Sequence, residues 1–191
     1  MSVHFMVDLK KLYIAELKQD SMETLTYEIP KYFEGIREIG VKPKINTDNA
    51  YAEGIVWSTE TTLESIEVEI DIVDLEEEEE AFLLGHKIAE GGGVIYSEND
   101  KAPEVAILAK ALKGNGKARY FIYYSGQFTI SDETMKGKEG KANNQSKKLK
   151  ATFKPLKHNG QWKFKIDEEQ GMTDEKFFES VIIPEKKEIT A

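Results

Sequence analysis

Residues Glu64–Val73 read E-S-I-E-V-E-I-D-I-V, and that alternation sets the fold class. Side chains of a strand point alternately to opposite faces, so Ile66, Val68, Ile70 and Ile72 share one side and Ser65, Glu67, Glu69 and Asp71 the other. Like charges two residues apart on one face repel. The acidic face is therefore expected to lie in water or to be put to use, the ordinary solvated face being the simpler reading. Its surroundings sharpen the question: between Ile45 and His86 there are thirteen carboxylates and no Lys or Arg.

Upstream, Val7–Leu17 and Glu23–Ile29 have strand character, and Pro30 closes the second because its ring fixes φ and it lacks an N–H. A third strand is expected over Ile36–Ile45. Asn46–Thr62 then breaks the periodicity and is expected to form a long polar loop, uncommon in a compact domain unless it has a task. That loop carries Tyr51, Ile55, Val56 and Trp57, and Trp57 either tucks onto its own domain or waits exposed for a partner. Downstream, Asp74 is the expected helix cap with Glu77 at the capping-box position. Glu76–Glu80 would face the positive end of the helix dipole, and Gly85 ends the helix. The glutamate run reads as a solvated helix face in preference to a metal site.

After the turn Gly91–Gly93, strands are expected at Val94–Tyr96, Glu104–Leu112 and Arg119–Ile130, the last two joined through the hairpin signal Asn115-Gly116. Arg119–Ile130 is long and aromatic, which fits a central strand, and Gly126 is expected at a bulge or a close backbone approach. Met135–Gln145 reads as a loop, and from Lys136 to Lys157 eight lysines face Glu139 alone. Strands Lys147–Pro155 and Gln161–Ile166 follow, then a short helix capped by Thr173. Val181–Ala191 has no evident mate and reads as a C-terminal arm. Residues 1–191 are thus expected to form a single, mainly β domain of two packed antiparallel sheets with one flanking helix and a long inter-strand loop.

The formal net charge of -9 argues against a general nucleic-acid or anionic-membrane binder, which needs clustered Lys and Arg. The chain has no cysteine, so disulfide scaffolds, Cys-ligated zinc and Cys nucleophiles drop out. His4, His86 and His158 lack metal-ligand spacing. No apolar run is long enough to span a membrane and the N-terminus lacks a signal-peptide layout, so a chain used in a cytoplasm or released by lysis is expected. Nucleophile-elbow, P-loop and dinucleotide motifs are missing, and Gly91–Gly93 lacks the helix and Lys of a phosphate cradle. Glu67 and Glu69 share a face as glycosidase carboxylates must, but aromatic platforms and sugar ligands do not accompany them. Neither catalysis, a cofactor nor a metal is expected. Separate acidic and basic surfaces instead suit head-to-tail self-association, which closes into rings or runs on as filaments.

The element order and several motifs carry a resemblance: L-K-K-L-Y-I-A at Leu9–Ala15, L-E-E-E-E-E-A-F-L-L-G-H at Leu75–His86, N-D-K-A-P-E-V-A-I-L at Asn99–Leu108, and Y-F-I-Y-Y-S-G-Q-F-T-I at Tyr120–Ile130 leading to T-M-K-G-K. Together they resemble the major tail proteins of bacteriophages with long non-contractile tails, the group named after phage phi13. The similarity covers Val7–Ala151 and weakens beyond it. It departs in the lysine-rich loop and in a short C-terminus without an appended immunoglobulin-like domain. The resemblance implies hexameric rings stacked into a hollow tail tube through which the genome leaves the virion, built in the host cytoplasm. It also implies a tape-measure protein and tail-end proteins as partners, and DNA that passes without specific binding. In such a tube, inner strands of six copies close a barrel and remove exposed edges. Glu67, Glu69 and Asp71 are then expected to face the lumen and repel phosphate. Tyr51, Ile55, Val56 and Trp57, with the termini 1–7 and 181–191, are expected to order against the next ring. The inner tube of a contractile tail shares this architecture. A reading from another class is a β-sandwich binding module for a glycan or protein on a virion or cell surface, which requires Tyr120, Tyr123 and Tyr124 exposed in a groove.

Overall fold

Alternation of the kind seen at Glu64–Val73 is the organising feature of the chain, whose computed structural model describes residues 5–130 and 146–185. The strands are β1 (Met6–Asp20), β2 (Leu25–Tyr27), β3 (Lys31–Phe33), β4 (Ile36–Ala52) and β5 (Ile55–Ile72). Helix α1 (Glu77–Leu84) follows, then β6 (Lys87–Ile88), β7 (Val94–Ile95), β8 (Glu104–Lys113), β9 (Ala118–Thr129), β10 (Lys147–Lys154) and β11 (Lys163–Asp167). A 3-10 turn, Glu168–Gln170, leads into α2 (Asp174–Glu179). The expected loop Met135–Gln145 lies outside the described residues.

The fold is mainly β and antiparallel, as the sequence implied. Its sheet runs β2-β1-β8-β9-β10-β5-β4, with β3 added on β1 and β11 on β9, while β6 and β7 form a separate ribbon. In the larger sheet one long strand serves two partners along one edge. The first half of β9 pairs with β11 (Tyr123↔Lys163, Arg119↔Asp167), the second half with β10 (Gly126↔Phe153, Thr129↔Lys150). Bending at such points packs the sheet on itself. Ile66, Val68, Ile70 and Ile72 of β5 bury in one cluster with Leu12, Ile14, Val105, Ile107 and Phe153. On the other side of β1, β8 and β9, Leu108, Tyr120, Ile122 and Tyr124 pack under Phe177 and Phe178 of α2. Strands covered on both faces have no polar side to show, hence the nearly continuous apolar runs of β8 and β9.

Three expectations change. Asn46–Thr62 is no loop: β4 and β5 continue their register through it, from Ile36↔Ile72 to Ala52↔Ile55. Tyr51, Ile55, Val56, Trp57 and the threonines have strand propensity, but with no core beneath them there is no alternation to read. Glu53 (φ 53) and Gly54 (φ 79) close the hairpin, as a two-residue turn with positive φ requires. The helix cap is Glu76 rather than Asp74, with Glu79 rather than Glu77 accepting the Glu76 N–H at 3.0 Å. Leu75 turns into the core and keeps the chain extended for two residues longer. Asp74 instead accepts from the Leu75 N–H at 2.9 Å, and Glu77 from the Gly93 N–H at 2.8 Å. Finally, the C-terminal segment is docked where it is described. Val181, Ile182 and Ile183 pack on the second core, the Tyr124 hydroxyl donates to the Ile182 carbonyl at 2.9 Å, and Gln161 Nε2 donates to the Pro184 carbonyl at 3.0 Å.

Candidate assembly surfaces

Beyond Val41 and before Leu63, β4 and β5 leave the body as a two-stranded arm. Residues 42–51 and 53–62 are all exposed, and at about 3.3 Å per residue the stretch from Ile45 to Ala52 reaches roughly 25 Å. Tyr51 and Trp57 are 69% and 71% exposed, with Ile55 and Val56 beside them. None of the four folds back on its own domain. A register shift between Ala50 and Tyr51 leaves Trp57 outside the ladder. The arm's polar interior is held locally, the Thr59 hydroxyl donating to Asn49 Oδ1 at 2.7 Å. Asp48 and Glu60 stand directly opposite one another. Like charges so placed destabilise a strand pair, and neither forms an ion pair among the described residues.

The outward face of β5 carries Glu67, Glu69 and Asp71 as alternation dictates, but it is not a bare acidic wall. Lys44 pairs with Glu67 at 2.6 Å, Lys42 with Glu69 at 3.0 Å, and Arg37 approaches Asp71 at 3.9 Å. On the other flank Lys150 lies opposite Glu69 and Lys148 opposite Asp71. The carboxylate row is thus bracketed by two cationic rows. The hydrogen bond from Lys42, then its charge, holds the Glu69 carboxyl below the ordinary glutamate value, and the reciprocal bonds raise Lys42 and Lys44. A strand read along its own length does not reveal its lateral neighbours, which is why the lysines were missed.

A second polar cluster was also hidden. Glu80, expected in a solvated run, is buried and accepts from the Tyr96 hydroxyl and from the Lys147 ammonium, the latter at 2.5 Å. His86 Nδ1 pairs with Asp100 at 2.6 Å and its ring lies 4.2 Å from Tyr96. These contacts tie α1 to the segment around β7 and to β10. The only hint in sequence is that Glu80 sits one turn before Leu84, on the packing side of the helix.

Tyr120, Tyr123 and Tyr124 are buried. Tyr120 and Tyr124 donate to Asp174 and to the Ile182 carbonyl. The three do not stand exposed together in the aromatic groove that a glycan- or protein-binding module requires. Among the described residues no set of His, Asp and Glu converges to hold a metal ion, and no helix is long and apolar enough to cross a membrane.

Comparison with curated proteins finds no match. The phage tail tube protein family matches residues 43–183. That span takes in the arm, the charged face, the central strands and α2, and reaches further toward the C-terminus than the motif resemblance does. On that match, an exposed apolar arm and a mainly β antiparallel sheet, the chain belongs to the phage tail tube protein family, structural proteins of the virion tail.

Proposed function

We propose that the protein polymerises as stacked hexameric rings into the tail tube, the conduit for genome ejection. The observation that carries this reading is the arm, an extended hairpin whose large apolar side chains have no place on their own domain. Such exposed groups mark an interaction surface. Tyr51, Ile55, Val56 and Trp57 become buried contacts against the next ring. Within a ring, the outer edge of β4, which ends the sheet order, pairs with a neighbouring copy, so the unpaired backbone groups of the edge are satisfied by ring closure. The face bearing Glu67, Glu69 and Asp71 turns toward the bore. There the carboxylates hold Lys42 and Lys44 in ion pairs and stand in register with Lys148 and Lys150, which weakens the pull of the face on a phosphate backbone and the counterion release that binding would bring. Assembly takes place in the host cytoplasm, with a tape-measure protein and tail-end proteins as further partners, and the finished tube is non-contractile.

Negative-stain microscopy of the purified protein at high concentration tests this. Wild type is expected to give rings or rods with six-fold end views. Trp57→Ala is expected to keep the monomer's circular dichroism and melting temperature and to give neither. A wild-type protein that stays monomeric at every concentration ends the reading, and rods from Trp57→Ala remove the arm from it.

A further inference from the structure

The seam where β4 passes over β1 and β9 is open to solvent. A cavity of about 440 Å³ lies there, walled by Val7 and Leu9 of β1, Ile39 and Val41 of β4, and Phe121 and Tyr123 of β9. Space remains because β8 contributes only Ala109 and Ala111 to it. Lys163 stands beside the cavity with its ammonium 5.3 Å from the Phe121 ring centre and 5.2 Å from that of Tyr123. Lys165 is two residues along β11 on the same side, opposite Phe121 as Lys163 is opposite Tyr123. Neither lysine forms an ion pair among the described residues. Burial, then the charge of Lys165, pulls the Lys163 ammonium below the ordinary lysine value. Two like-charged groups without an ion pair among the described residues thus stand next to a largely apolar hollow, whose lining also includes Asp8, Arg37 and Glu38.

The arm carries the complement. Asp48 and Glu60 face each other across the ladder without a cation, and toward the tip Tyr51, Ile55, Val56 and Trp57 offer exposed apolar surface. About three rungs, roughly 10 Å, separate the acid pair from the tip. The other lysine rows are weaker candidates, since Lys42 and Lys44 are held in ion pairs and Lys148 and Lys150 stand in register with Asp71 and Glu69. We propose that the arm tip of one copy seats in this cavity of a second copy, with Asp48 and Glu60 drawn onto Lys163 and Lys165. Apolar burial supplies the adhesion, while the charge pairs set the register and reject misaligned copies. The inference rests on the arm being an assembly element, as proposed above, and adds the surface that receives it.

Charge exchange tests it. Lys163→Glu/Lys165→Glu is expected to cut sedimentable rods at least roughly tenfold, since like charges brought together reject a partner, with the monomer's melting temperature kept. Asp48→Lys/Glu60→Lys fails likewise, and the fourfold variant assembles again. As the chain has no cysteine, a second measurement is free of background. Mixing chains carrying Val56→Cys with chains carrying Val7→Cys and adding a short bismaleimide is expected to yield a covalent dimer. Normal rods from Lys163→Glu/Lys165→Glu overturn the docking, as does the absence of the mixed dimer. Wild-type rods in the same experiments leave the tail-tube reading standing. A wild type that forms no rods sinks both.

Discussion

Phe153 and Gly126 show how little room the interior leaves at a single residue. The two face each other across β9 and β10, and a Cβ added to Gly126 would fall well inside contact distance of the Phe153 ring. That ring is fully buried and meets Tyr123 edge-on at 6.3 Å, so it has no open side to move to. Gly126→Ala is therefore an overpacking change, costing about 1–3 kcal/mol. For a chain of this size each kcal/mol lowers the melting temperature by about 2–4 °C, so thermal denaturation of the monomer should show a drop of several degrees. Adding Phe153→Leu, which removes ring atoms at the clash, should recover part of it. An unchanged melting temperature for Gly126→Ala alone would mean that the strand pair yields freely there.

At the scale of elements, α2 is latched by one carboxylate. Asp174 accepts from Lys110 and from Tyr120, both at 2.7 Å, and from Lys11 at 2.9 Å, joining the helix to β1, β8 and β9. Burial alone would raise its carboxyl, but these hydrogen bonds outweigh it and bring it down to about 2. The folded value lies below the unfolded aspartate value of about 3.9, so the stabilisation is complete above about pH 4 and is lost as pH falls toward 2. Asp174→Asn should cost about 1–2 kcal/mol at neutral pH, ion pairs partly open to water being worth less than buried ones. It should also flatten the acid limb of stability in that window. Urea midpoints measured from pH 7 to pH 2 check both, and curves that stay parallel throughout reject the latch. This part of the fold was legible in sequence because its signals are local: Thr173 caps α2, the Asn115-Gly116 turn joins β8 to β9, and β5 alternates. The arm was not, since a hairpin with water on both faces shows no alternation. Nor was the pairing of Glu80 with Lys147, 67 positions away, or the seat of Val181–Ile183 on a core assembled from distant strands.

At the scale of the whole molecule the question is why a protein proposed to form a tube that passes DNA places Lys42, Lys44, Lys148 and Lys150 on the face proposed to line the bore. The geometry answers with Glu67, Glu69 and Asp71, a carboxylate row running between the two lysine rows and in contact with both strands that bear them. Acid of this kind works less as a repellent than as a fixed counterion. A lysine that already has a carboxylate at 2.6 or 3.0 Å releases no mobile ion when a phosphate arrives, and the entropic drive for DNA binding is removed. Exchanging the row for its neutral isosteres, Glu67→Gln/Glu69→Gln/Asp71→Asn, leaves the alternation and the buried isoleucines untouched while freeing the lysines. Tubes of this variant are expected to retain short linear duplexes in low salt, releasing them with a log–log salt slope of about 0.9 per phosphate engaged, whereas wild-type tubes retain none. A closed circular duplex cannot thread a bore. Variant tubes that hold the linear fragments but not the circle put the face on the lumen, and tubes that hold both put it outside. If neither binds, the lysines were never the hazard that the carboxylates are argued to contain.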